Sequence, residues 1–289
     1  KESKETLWKE YPRPQMKRKQ WMSLNGKWEL EGGSIRVPFP PQAKMSGYQG
    51  KIKDSFTYEK RFLLPKELRG ERILLHFGAV DEIAEVWVNG KRVGRHEGGY
   101  LPFYFDITGF VNREAENRIV VVVIDGTSIE YPYGKQSKKR GGMWYTPVNG
   151  IWQSVWLENV PASYIEKVVL KPDLEGVDIE LLGSGIEAFT VTVTLSNGES
   201  YVSKLEGTTG RITLSEHICK DGRPYQPKLW NTKSPYLYEM QIETAQDKIE
   251  TYFALRTIEI KNKNGINRIC LNGEPIFLHG VLDQGYYPD

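Results

Sequence analysis

Apolar and polar positions alternate most tightly between Arg72 and Thr108, in the stretch RILLHFGAVDEIAEVWVNGKRVGRHEGGYLPFYFDIT. Short extended runs follow one another there. Ile73 to Phe77 is apolar, Ala84 to Val88 comes next, and Lys91 to Gly94 lies beyond Asn89-Gly90. Asn-Gly between two extended runs predicts a two-residue type I′ hairpin, because both central residues of that turn need positive φ. Gly98-Gly99 allows a second turn without a Cβ clash. Phe103 and Phe105 then alternate with Tyr104. The pattern predicts an antiparallel β unit, and periodicity alone says nothing of its function.

The flanking sequence extends this picture. Residues 1–20 are polar, carry Pro12 and Pro14, and read as an extended arm. WMSLNGKWEL, from Trp21 to Leu30, holds another Asn-Gly. The run Val37-Pro38-Phe39-Pro40-Pro41 is a loop or an edge, since proline lacks the ladder donor. Phe56 to Leu64 alternates. Arg118 to Ile124, RIVVVVI, is apolar on both parities and predicts a strand covered on both faces. Residues 125–150 form a long loop rich in Gly, Tyr and Lys, of the kind that is functional or mobile. Gly150 to Pro161 reads as a strand ending in a linker-like proline, which places a boundary near Pro161. Runs at 165–170, 177–182, 189–195, 212–214, 237–243 and 250–254 are separated by turn residues, a rhythm that fits an immunoglobulin-like sandwich. After Leu255 the character changes, and Ile276 to Gly280 predicts a further apolar strand.

Composition narrows the classes. The 289 residues suit two β domains with a remnant. Thirty-nine basic and thirty-seven acidic residues leave a formal charge of +2, and no basic run argues for a nucleic-acid partner. The densest cluster, KQSKKR from Lys135 to Arg140, reads as a solvated loop. Eight Trp and sixteen Tyr suit stacking on sugar rings, and equally a large sandwich core. Cys219 and Cys270 are expected to remain unbonded. No CxxC or Cys/His metal spacing is present, and no metal or cofactor is expected. No signal peptide or membrane-length apolar run is evident. That leaves a soluble protein of the cytoplasm, or a secreted one with its signal removed. The chain starts without Met, so its true N-terminus is expected to have been trimmed.

Several separate stretches resemble one family in order. VWVNGKRVGRHEGGYLPFYFDIT, LNGKWEL, FTYEKRFLL before Pro65, GIWQSVWL, LWNTKSPYLYEM and the final PIFLHGVLDQGYYPD resemble the N-terminal part of family 2 glycoside hydrolases, the β-galactosidase and β-glucuronidase family. The resemblance implies an all-β chain. Its parts are a jelly-roll sugar-binding-like domain over 1–161, an immunoglobulin-like β-sandwich over 162–260, and the start of a catalytic (β/α)8 barrel over 261–289. It further implies a non-catalytic portion of a retaining enzyme acting on terminal β-glycosides. Retention requires two carboxyl groups about 5–5.5 Å apart, and in the family both are barrel glutamates lying beyond residue 289.

The site candidates follow from that placement. Asp283 and Gln284 come directly after the apolar strand, at the end where a barrel carries its active site, and could hydrogen-bond sugar hydroxyls. Many β-galactosidases of the family read RGVNRHE here, whereas this chain reads HGVLDQG, so galactose cannot be assumed. His279 reads as a hydrogen-bonded core histidine. Trp144 and Tyr145, in the long loop, could stack on a sugar. Asp81 and Glu82 read as solvated or bonded to backbone, and Glu97 as a turn residue. The expected partner is a carbohydrate substrate, met through the parent enzyme, with no nucleic acid and no membrane; a homo-oligomer stays open. The rival readings are a stand-alone carbohydrate-binding module without enzymatic activity and a purely structural interaction protein.

Overall fold

Asn89 and Gly90 take φ values of 51° and 80°, and between them fold Ile83–Val88 back onto Lys91–Glu97. The strands extend the predicted runs by a few residues, with a register shift between Val86 and Trp87. The computed structural model of the chain describes residues 8, 10–127, 129–139 and 141–283. Their backbone contacts divide them into two units. One takes in residues 19–160, together with described residues near each terminus; the other takes in 13–18 and 161–281.

In the first unit a six-stranded antiparallel sheet runs in the order Gly33–Val37, Gly26–Leu30, Ser55–Phe62, Asn117–Ile124, Ile83–Val88, Lys91–Glu97. A four-stranded sheet runs Trp21–Ser23, Val155–Val160, Arg72–Phe77, Phe103–Asp106. One apolar cluster draws on both sheets, including Trp28, Tyr58, Val86 and Val121 from the larger and Ile73, Leu75, Phe77 and Leu157 from the smaller. This is the jelly-roll half of the expected all-β fold. The proline run after Val37 follows an edge strand, where a missing donor costs no ladder bond.

The central strand corrects one expectation. Asn117–Ile124 buries Ile119, Val121 and Val123, while Arg118 and Ile124 are exposed. It is covered on one face only, because an antiparallel sheet in a sandwich turns its second face to solvent.

The second unit pairs Ile165–Pro172, Gly176–Gly183 and Thr209–Thr213 in one sheet, and Ser200–Glu206, Ala188–Thr194, Tyr238–Glu243 and Lys248–Phe253 in the other. Val177, Ile179 and Leu181 meet Phe189, Val191, Met240 and Ile249 in its core. Arg18 is buried there, and its guanidinium grips Asp247 at 2.7 and 3.2 Å.

Beyond the sandwich, Ile258–Lys263 and Ile266–Leu271 form an antiparallel hairpin to which Glu274–Pro275 adds two residues. The strand expected at Ile276 to Gly280 does not form; residues 276–283 lack regular structure. Ile276 still donates its amide to Ile269 O at 3.0 Å, and no further ladder bond follows it among the described residues. No helix among the described residues is long and apolar enough to cross a membrane.

Candidate functional site

The loop over 125–150 is held at both ends. Its start follows the strand Asn117–Ile124, and its end, Gly150–Ile151, pairs with Val80–Asp81. Gly150 has φ 74°, and a Cβ there would lie 2.5 Å from the Tyr58 hydroxyl. Only glycine fits that close approach.

Beneath the loop lies a buried polar cluster. Asp81, Glu82, Asp125, Gln136 and Asn149 are all buried. The Gln136 amide donates to Asp81 Oδ2 at 3.3 Å, and its Oε1 accepts from Val148 N at 2.5 Å. Asn149 Nδ2 donates to Asp125 Oδ2, and the Thr127 amide donates to Asp125 Oδ1 at 2.9 Å. Gln42 donates to Asn149 Oδ1 and accepts from its amide at 3.2 Å. Trp152 Nε1 donates to the Gly99 carbonyl at 2.8 Å, with its ring edge-on to Tyr100. Such a network holds a loop because every buried polar group that lost its partner would carry a desolvation penalty.

Asp81 and Glu82 are buried rather than solvated, and Glu82 takes a backbone hydrogen bond from Gly126, the other of the two settings expected for the pair. Asp81 ends the short strand Val80–Asp81 and Glu82 follows it in a bend. Burial, then repulsion by Asp125, pushes the Asp81 carboxyl up to about 7, against the Gln136 bond that lowers it. Asp125 and Glu82 are raised as well, burial being the largest cause in each. These carboxyls anchor the loop through buried hydrogen bonds.

The loop's outer part carries the aromatic candidates. Trp144 is exposed, at 43%. Tyr145 is half-buried; its amide donates to Lys135 O at 3.0 Å and its carbonyl accepts from Ser137 N at 3.2 Å. Lys138, on the same loop, forms an ion pair with Asp54 at 2.7 Å. Within KQSKKR the lysines are solvated as expected, but Gln136 is buried. Glu97 ends its strand and accepts from the Tyr131 hydroxyl at 3.1 Å. Asp283 is exposed, and Gln284 lies outside the described residues. His279 is exposed as well, contrary to the core role expected for it, because the strand that would have buried it does not form.

Sequence reasoning passed over Asp125, Gln136 and Asn149. The sole faint signal was a neutral amide inside a basic run. Gln136 and Asp81 are 55 residues apart, a pairing that local pattern cannot supply.

Comparison with known proteins gives this architecture its class. Residues 19–161 match the sugar-binding domain of Glycosyl hydrolases family 2, and residues 163–256 match a second domain of that family. The chain belongs to Glycosyl hydrolases family 2. It is 27% identical to a β-galactosidase of Thermoanaerobacter pseudethanolicus, over 80% of this chain and 32% of that protein. It is also 27% identical to a β-glucuronidase of Felis catus, over 86% of this chain and 42% of that protein. The chain thus spans less than half the length of these curated relatives. A β-glucuronidase from Ruminococcus gnavus has the same fold, with a TM-score of 0.71 at 23% identity, covering 96% of this chain and 53% of that one.

Proposed function

We propose that this chain is the non-catalytic N-terminal portion of a retaining glycoside hydrolase acting on terminal β-glycosides. Residues 1–161 and 162–260 serve as its jelly-roll and immunoglobulin-like domains, and 261–289 as the entry to its catalytic barrel. Trp144 and Tyr145 reach the sugar from the long loop, and Asp283 and Gln284 bond its hydroxyls from the barrel entry. The observation that carries this reading is the match of two consecutive domains of one hydrolase family over residues 19–256. The chemistry agrees. Retention needs two carboxyl groups opposed across one glycosidic bond, and the carboxyls gathered under the loop are buried and hydrogen-bonded.

The purified chain is tested with chromogenic β-galactosides, β-glucuronides, β-mannosides and β-glucosides. No turnover is expected. Turnover that is abolished by Asp283→Asn would overturn the reading. In the full reading frame, Trp144→Ala is expected to raise KM with little change in kcat, as loss of a stacking contact does.

A further inference from the structure

Two turns of the second unit meet at a cluster that neither the fold nor the proposed function accounts for. The turn after Ala188–Thr194 runs through Asn197-Gly198 to Glu199, closed by the Leu195 and Glu199 backbone bond at 2.8 Å. The other turn runs from His217 to Tyr225. Its amide of Cys219 donates to Arg223 O at 2.8 Å, and its amide of Tyr225 donates to His217 O at 2.7 Å. In this extended segment His217 and Cys219 are two residues apart, so their side chains share a face. Ile218 between them is exposed.

The donor atoms of Glu199, His217 and Cys219 all lie within 4.8 Å of one another. His217 Nε2 and Glu199 Oε2 are 3.1 Å apart. Two such ligands on one tetrahedral zinc ion lie about 3.3 Å apart, and thiolate and imidazole about 3.6 Å apart, from bond lengths of about 2.0–2.3 Å. The widest separation the cluster allows exceeds that geometry by about 1.2 Å.

The surroundings hold these donors in place. Glu199 Oε1 accepts from the Lys220 amide at 3.1 Å, which leaves Oε2 facing the histidine. Asn197 Nδ2 donates to Cys219 Sγ at 3.4 Å. The Tyr201 ring stands edge-on to His217, 5.9 Å away. The Tyr225 hydroxyl ties the two turns together through Ser196, at 2.7 Å to its Oγ and 3.1 Å to its amide. All three donors are partly exposed, so an ion has a path in.

We propose that Glu199, His217 and Cys219 form a site for a divalent metal of the zinc class, with water as fourth ligand, which pins the two turns to one another. Thiolate with imidazole selects zinc or a similar borderline-soft ion over magnesium or calcium, which prefer all-oxygen ligands. The sequence hid the site because His-x-Cys is too short to signal one, and Glu199 arrives from a different hairpin.

The test uses the reduced, tag-free chain after treatment with chelator, titrated with Co2+ alone. One equivalent is expected to bind with a sulfur-to-cobalt charge-transfer band in the near ultraviolet, which Zn2+ then abolishes by displacement. Cys219→Ser is expected to lose the band and Cys270→Ser to keep it. His217→Ala is expected to weaken binding at least about tenfold. Alkylation of the wild-type chain, mapped by mass spectrometry, gives a second readout that needs no variant: Zn2+ is expected to slow modification of Cys219 at least about tenfold, and Mg2+ at the same concentration to leave it unchanged. No thiolate band, a band that survives Cys219→Ser in a folded variant, or equal alkylation with and without Zn2+ would overturn the proposal.

Discussion

At Asp81 the fold takes a carboxyl out of water and sets it near Asp125 and Glu82, with Tyr100 and Gln136 completing its surroundings. Its pKa rises to about 7, whereas in the unfolded chain it ionises near about 3.9. Between those values the folded chain holds more protons than the unfolded one. The stability contributed by Asp81 is therefore full below about pH 4 and is lost as pH rises to about 7. His96, whose pKa burial lowers, works in the opposite direction near neutrality, so the comparison has to be with a variant. Asp81→Asn is expected to stabilise the chain at pH 8, by at most about 4 kcal/mol, and to lose that advantage near pH 4. Urea unfolding at both pH values measures it, and an equal difference at the two would count against the buried, raised carboxyl.

Asp247 is buried against a countercharge. It accepts both the Arg18 guanidinium and the Ile165 amide, the latter at 2.9 Å. Asp247→Ala would remove the carboxylate that the buried Arg18 guanidinium grips and is expected to cost about 3–5 kcal/mol. Calorimetry on the variant checks this, and a loss under about 1 kcal/mol would mean that the pair is solvated in solution.

At the scale of elements, the Asn89-Gly90 turn was legible because its chemistry is local. Both residues need positive φ, and Asn89 also bonds Phe110 O, Asn117 Oδ1 and the Arg118 amide at 2.8–2.9 Å. Gly90→Val forces a β-branched residue into that conformation, at about 1–3 kcal/mol. A lowered melting temperature is expected, and an unchanged one would remove the type I′ turn from the account. Other elements were less legible. Ser200–Glu206 escaped the pattern because it is an edge strand whose residues alternate only between exposed and half-buried. RIVVVVI misled in the other direction: its apolar residues on the solvent face are β-branched, which suits an extended backbone whether or not the face is covered.

At the scale of the whole molecule, the last described residues show what the two sandwiches leave over. Phe277, Val281 and Leu282 are about nine-tenths exposed, at 90%, 92% and 86%. Contiguous apolar exposure of this kind drives association. A chain ending at Pro275 is expected to keep its unfolding transitions and to self-associate less, by calorimetry and size-exclusion chromatography. Loss of either sandwich on that truncation would show that the tail supports the core.

What the chain's sequence determined by itself was whatever depends on near neighbours: the period-2 strands, the Asn89-Gly90 turn, the succession of two β domains and the family motifs spread along them. Register and turn chemistry act over a few residues, so they survive reading one stretch at a time. Only the tertiary structure decided which polar residues go inside. It brought Asp81, Asp125 and Gln136 beneath one loop, buried Arg18 against Asp247 across 229 positions, and set Glu199 beside His217 and Cys219. Such groups are buried only when each supplies the other's hydrogen bond or countercharge, and that condition is met between distant segments, where periodicity carries no information.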